Sequence, residues 1–337
     1  MTLSMMILSM FLGCEDPGET ARGGISQAPP RLVFKQSQNA LKDAGIHTVV
    51  WGATPFVTRN SDVVEQYQPL VSLVAEHLGT PMSVRVGNDY EHVETMLLNG
   101  EIDIALMSPY GYVQAKAKEP GLKVFASPIA NGTETYGAYI VTQEDSDIQS
   151  LSDVRGKPFG FVNSRSTSGW LYPASRMMDE GLDPTRDVKG LFFGDHAGVI
   201  KAVVSGLVAA GATYDAALAT GRGQIEGARN LRVIARTQRI PYDAYVVRKD
   251  FPSRAIPGLQ LALSSVSSRE ARGRTALEPL IDINGFIRTD DTVYREIREI
   301  EERVQSLLRS SGGTVPTYFF EPEEPDRDPE HSTAKPD

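Results

Sequence analysis

The chain has 337 residues, 34 basic against 43 acidic side chains, a formal net charge of -9 and 41% hydrophobic residues. Its length calls for two domains rather than one core, and its ordinary composition excludes a membrane bundle and wholesale disorder. The acidic balance excludes a nucleic-acid binder, which needs clustered Lys and Arg on phosphates, and the single cysteine, Cys14, excludes an intramolecular disulfide and a cysteine-built metal site.

From the N-terminus, Met1 to Gly13 is almost entirely apolar or small and ends Phe11-Leu12-Gly13-Cys14. That ending resembles the lipobox of bacterial lipoproteins, although Phe11 stands where Leu is usual and no Lys or Arg precedes the run. The resemblance implies a signal segment over residues 1–13 and a lipid on Cys14 that anchors the protein to a membrane at the extracytoplasmic face. The run is too short to span a bilayer as a helix. Gly, Pro and charge dominate after Cys14, so residues 14–44 read as a flexible tether. Residues 316–337, rich in Glu, Asp and Pro, read as a disordered tail.

Between these ends, strand and helix signals alternate. Thr48 to Trp51 predicts a strand. Ser61 caps a helix whose stripe Val64, Tyr67, Val71, Val74 and Leu78 keeps a spacing of three to four until Gly79 stops it. Met82, Val84 and Val86 alternate as in a strand. Asn88 with Glu91 reads as a capping box for a helix to Leu98. Ile102 to Met107 is the next strand, and Ser108-Pro109 opens another helix. A second series starts near Tyr136, with strands to Val141, from Pro158 to Val162, near Leu191, over Val208 to Thr213 and over Leu231 to Ala235. Helices are expected after Ser168 and Asp195. This is the α/β class, with mostly parallel sheets flanked by helices and a ligand cleft between two lobes.

Three loops carry candidate chemistry. Asn163-Ser164-Arg165-Ser166-Thr167-Ser168-Gly169 joins a strand to a helix and would present hydroxyls and amides at a helix start, where oxyanions bind. An ordinary serine N-cap has the same spacing. Gly194-Asp195-His196-Ala197-Gly198 places His196 at another helix start, where a cap residue is the simpler reading. Ile240-Pro241-Tyr242-Asp243 is a turn entering a strand, and Asp243 reads on its own as a turn aspartate.

Taken together, these blocks resemble the PhnD-like phosphate, phosphite and phosphonate-binding proteins of ABC transporters. The shared stretches are Ser166-Thr167-Ser168-Gly169, Asp195-His196, Gly211-Ala212-Thr213-Tyr214-Asp215 and Ile240-Pro241-Tyr242-Asp243, with Asn88-Asp89-Tyr90 and Thr135-Tyr136 before them. The resemblance runs from about Thr48 to about Leu308. It implies a type II periplasmic-binding-protein fold with lobe one over residues 45–136 and 239–315 and an inserted lobe two over residues 137–238. It further implies ligand contacts from Tyr90, Tyr136, Ser166, Thr167, Ser168, His196, Asp215 and Asp243, with Tyr214 as an alternative to Asp215. The implied ligand is a phosphonate, phosphite or similar phosphorus oxyanion, and the implied partners are an ABC permease and its ATPase, with no cofactor and no metal. Ala209 stands where the family often has Asp. A ligand sensor on the same fold is the nearest alternative. A Ser/His/Asp hydrolase is disfavoured because the G-x-S-x-G elbow is absent.

Overall fold

The computed structural model describes residues 38–54, 60–280 and 282–311. The signal segment 1–13, Cys14 and the tail 316–337 lie outside the described residues. In chain order the elements are α1 (Ala40–Asp43), β1 (Val49–Ala53), α2 (Asn60–Leu78), β2 (Met82–Val86), α3 (Tyr90–Leu98), β3 (Ile104–Met107), α4 (Pro109–Lys118) and β4 (Lys123–Ala130). The chain then crosses into β5 (Thr135–Gln143), β6 (Pro158–Phe161), α5 (Tyr172–Asp179), β7 (Lys189–Phe192), α6 (His196–Val204), β8 (Ala210–Tyr214), α7 (Asp215–Gln224) and β9 (Leu231–Pro241). It returns through β10 (Ala244–Val247), α8 (Ile256–Ser264), α9 (Ala271–Leu277), β11 (Ile283–Arg288) and α10 (Arg295–Ser311).

Two sheets result, one of six strands in the order β11-β4-β10-β3-β1-β2 and one of five in the order β7-β6-β8-β5-β9. Their helices complete two α/β lobes joined by two crossovers, β4 to β5 and β9 to β10. In each sheet four strands run one way, β1 to β4 in the first and β6 to β9 in the second, and β5, β10 and β11 run against them. β1 pairs in parallel with β2 and β3, and β6 with β7 and β8. β5 and β10 run antiparallel to β8 and β3. The crossovers explain this: each of β5 and β10 enters its lobe from the side where the carboxyl ends of β8 and β3 lie, so each must run against them. The βαβ rule that favours parallel strands applies only within a lobe.

Three local expectations need correction. The tether does not extend to residue 44, because Ala40–Asp43 is helical and Leu41 is fully buried. The cap of α3 is Asp89, whose carboxylate accepts from His92 N, and not Asn88. Residues 239–315 do not return to lobe one alone. α10 lays Ile297, Ile300, Val304 and Leu308, at helical spacing, into a core that also holds Trp170 and Phe161 of lobe two. Arg303 in the same helix donates to Ser175 O at 2.8 Å and pairs with Asp179 at 2.6 Å, both on α5.

Candidate functional site

A cavity of about 150 Å³ opens between the lobes. Cavities of this size hold a molecule about as large as benzene. The register of the sheets decides what lines it. Thr54 follows β1, Ser108 follows β3, Ser166 to Ser168 follow β6 and Tyr214 ends β8, so the carboxyl ends of four parallel-paired strands face the cavity. Ala244 of the antiparallel β10 pairs with Met107, which sets Asp243 beside the end of β3. Tyr136 of β5 pairs with Ile240 just before the return crossover.

The turn after β6 is tightly built. Ser166 N donates to Asn163 O at 2.9 Å and Val162 N to Gly169 O at 3.1 Å. A Cβ on Gly169 would sit 2.4 Å from Val162 Cβ and 2.9 Å from Ser166 Oγ, so only glycine lets the turn fold back onto the strand. Behind it, Phe161 and Trp170 meet edge to face at 4.9 Å. The helix expected after Ser168 opens as a π-turn, Thr167–Leu171, before regular α5 begins, a distortion that recurs at functional sites.

Two hydroxyls of this turn each accept one amide proton. Ser166 Oγ accepts from Gly169 N at 3.0 Å, and Thr167 Oγ1 accepts from Tyr110 N at 2.9 Å. Each of these hydroxyls still carries one O–H to donate and one further lone pair. Tyr90 and Tyr136 hydrogen-bond to Ser166 and Ser168, and burial raises both phenols well above the ordinary value, so they too stay protonated.

His196 is the first residue of α6, whose cap Asp195 accepts from Gly198 N at 2.7 Å. Its Nδ1 lies 3.1 Å from Thr213 Oγ1, and its ring meets Tyr214 at 4.7 Å. Burial pushes the imidazole down to about 3, so the ring is neutral. The partner of Nδ1 is a hydroxyl rather than an aspartate, so the relay of a Ser/His/Asp hydrolase is not assembled.

Among the described lining residues there is no lysine or arginine. Positive potential comes instead from the starts of α3, α4, α6 and the π-turn, marked by Tyr90, Ser108, His196 and Thr167. Asp243 is the carboxylate at the centre of the tyrosines, and removal from water pushes its carboxyl up to about 7. Among the described residues, an anion entering this cavity meets neutral donors, the carboxyl of Asp282, and that of Asp243, which exchanges its proton near neutrality. No group of three His, Cys, Asp or Glu among the described residues is placed to hold a metal ion.

Seven of the eight residues expected at the site, Tyr90, Tyr136, Ser166, Thr167, Ser168, His196 and Asp243, line the cavity. Asp215 does not. Its Oδ2 accepts from Gly137 N at 2.9 Å and lies 3.5 Å from Arg239 Nη1, so it ties α7 to β5 and β9 while Tyr214 takes the cavity position. Sequence reasoning missed Tyr67, Tyr242 and Asp282. Tyr242 packs on Tyr136 with centroids 5.1 Å apart, next to the expected Asp243. Asp282 belongs to a lobe-one loop with Pro279 and Leu280, far from any expected motif.

Residues 52–294 match the family model described as ABC transporter, phosphonate, periplasmic substrate-binding protein. The phosphate-import protein PhnD of Mycolicibacterium smegmatis is 28% identical over 178 residues, covering 50% of this chain and 55% of that protein. The chain thus spans about half the length of this curated relative. A binding protein component of an ABC phosphonate transporter from Pseudomonas aeruginosa superposes with a TM-score of 0.69 at 22% identity, over 77% of this chain and 87% of the other. PhnD1 from Prochlorococcus marinus, solved with methylphosphonate, gives a TM-score of 0.69 at 18% identity, over 77% and 98% of the two chains. These two structures share the fold, two α/β lobes around a cleft.

Proposed function

The chain belongs to the phosphonate periplasmic substrate-binding protein family of ABC transporters, and from that premise we propose that it captures a small phosphorus oxyanion, a phosphonate or phosphite, between its lobes and delivers it to a membrane permease. One observation carries the reading: among the described residues the cavity has no cationic side chain, and it is lined by hydroxyl donors at helix starts and by two carboxyls, of which Asp243 is poised near pH 7.

In this reading the ligand oxygens accept from the hydroxyls of Ser166, Thr167 and Ser168, from the amides of the π-turn and from Tyr90 and Tyr136. In the tautomer with the ring proton on Nε2, His196 Nδ1 would accept from Thr213 Oγ1, 3.1 Å away, and Nε2–H would be left for the ligand. Asp243 then shares a single proton with the remaining P–O group. The second ionisation of a phosphoryl group lies near about 6, close to the value of Asp243, so the proton bridges two groups of similar basicity. Sulfate brings no proton near neutral pH and is a much weaker base. Bound sulfate faces either an ionised carboxylate or a mismatched hydrogen bond. The family's role places the protein outside the cytoplasmic membrane, and the lipid on Cys14 would keep it close to its permease.

The test is a thermal-shift panel of phosphite, methylphosphonate, 2-aminoethylphosphonate, phosphate and sulfate. A ligand that binds only the folded state raises the melting temperature with occupancy. At 100 times its dissociation constant it stabilises by about 2.7 kcal/mol, a shift of about 4–5 °C for a chain of this size. The expected result is a shift with at least one phosphorus oxyanion and none with equimolar sulfate. Equal shifts with sulfate sink the proton-sharing mechanism, and no shift with any phosphorus oxyanion sinks the ligand class.

A further inference from the structure

The anion-holding turn of lobe two is gripped from lobe one by a contact that the ligand reading does not use. Arg165 precedes Ser166, and its guanidinium lies 3.4 Å from Glu91 Oε1 and 3.3 Å from Glu94 Oε2. It also donates to Gln114 Oε1 at 2.6 Å. Glu91 and Glu94 stand on α3 and Gln114 on α4, all in lobe one. Asn163 Nδ2 and Ser164 Oγ donate to Glu91 at 3.3 and 3.2 Å. Ser108 Oγ donates to Arg165 O at 2.7 Å. Glu301 of α10 adds a further carboxyl within the electrostatic reach of the same guanidinium.

Glu94 decides the direction of the effect. Its side chain is only 4% exposed, Lys118 Nζ holds Oε1 at 2.5 Å, and the buried Oε2 has no hydrogen-bond partner and faces Arg165. A buried carboxylate oxygen without its counter-charge is costly. With Arg165 in place the lobes are held together. Without it, Glu94 recovers hydration when the lobes separate. We propose that Arg165 is a positioning residue that latches the Ser166–Ser168 turn onto lobe one, so that ligand release requires this inter-lobe contact to break. The proposal rests on the cleft reading for its ligand, but the latch also has a readout that needs none.

The experiment compares full-length wild type with Arg165→Ala, Arg165→Lys, Glu94→Gln and, as control, Arg176→Ala. Arg176 pairs with Glu180 within lobe two. Stopped-flow measurements follow methylphosphonate, and small-angle scattering gives the radius of gyration without ligand. Truncating one member of a buried charge pair acts mainly on dissociation, so Arg165→Ala is expected to release methylphosphonate about 10- to 100-fold faster with little change in association rate. Its ligand-free radius should increase, Arg165→Lys should fall between, and Arg176→Ala should match wild type. If Arg165→Ala does not fold, Glu94→Gln carries the same expectation. A lowered melting temperature with unchanged dissociation rate and unchanged radius overturns the proposal and leaves a fixed structural contact. Should wild type itself fail to bind methylphosphonate, the ligand reading fails and the scattering comparison alone decides the latch, an unchanged radius refuting it.

Discussion

Ser168→Ala is expected to weaken methylphosphonate binding by roughly 10- to 100-fold while leaving the melting temperature of the ligand-free protein nearly unchanged. Hydrogen bonds to charged groups contribute about 1.5–3 kcal/mol, and each 1.4 kcal/mol is about tenfold in affinity. Ser168 isolates that term better than its neighbours. Ser166 caps the π-turn through Gly169 N, and Thr167 accepts the inter-lobe bond from Tyr110 N, so truncating either also disturbs the fold. Ser168 bonds to Tyr136 inside the cavity and holds no backbone amide. Isothermal titration with parallel thermal unfolding checks the prediction. An affinity within about twofold of wild type would remove Ser168 from the binding set.

Asp243→Asn is expected to abolish the preference for phosphorus oxyanions over sulfate, a change on the order of a hundredfold in the ratio of affinities. The amide cannot ionise, so it no longer repels a dianion that lacks a proton. The pH dependence follows from the same group. Asp243 has a folded-state value of about 7, raised by burial above the ordinary carboxyl value of 3.8. Its contribution to stability is therefore fully present below the unfolded value and is lost as pH rises through about 7. Affinity for an anion should fall over the same window as the carboxyl ionises. In Asp243→Asn the loss of stability and of affinity as pH rises through about 7 should disappear, leaving the contribution of buried neutral His196 to the stability profile and the ligand's own ionisation near about 6 to the methylphosphonate profile. Titrations with methylphosphonate and sulfate at several pH values test this. A wild-type profile that is flat through 7, or a variant that still rejects sulfate, would show that the carboxyl does not set selectivity.

How far the site is legible in the sequence depends on how local its signals are. Ser108-Pro109 and Asp195-His196 are read correctly as helix starts because capping is decided within a few residues. The Ser166–Ser168 turn is legible for the same reason, though not as a π-turn, since that form depends on Gly169 packing against Val162. Tyr67 is hidden because it continues the apolar stripe of α2. Periodicity marks the face that turns inward without saying whether a core or a cavity lies there. The misplacement of Asp215 is a one-residue ambiguity at a strand end, where neighbouring side chains point to opposite sides. Asp282 reaches the cavity only through the pairing of β11 with β4, a long-range register that no local pattern encodes. The antiparallel strands within these mostly parallel sheets are not legible for a comparable reason, because the direction of β5 and β10 follows from the crossovers between lobes. The bridging position of α10 likewise depends on which lobe offers a partner to its second apolar edge.

The decisive measurement is the crystal structure of the protein with methylphosphonate. The phosphonate oxygens are expected about 2.7–3.2 Å from donors on Ser166, Thr167 and Ser168, with one of them at hydrogen-bond distance from Asp243. Methylphosphonate bound outside the cleft, or inside it with no oxygen near Asp243 or the Ser166–Ser168 turn, would contradict the proposed mode of capture.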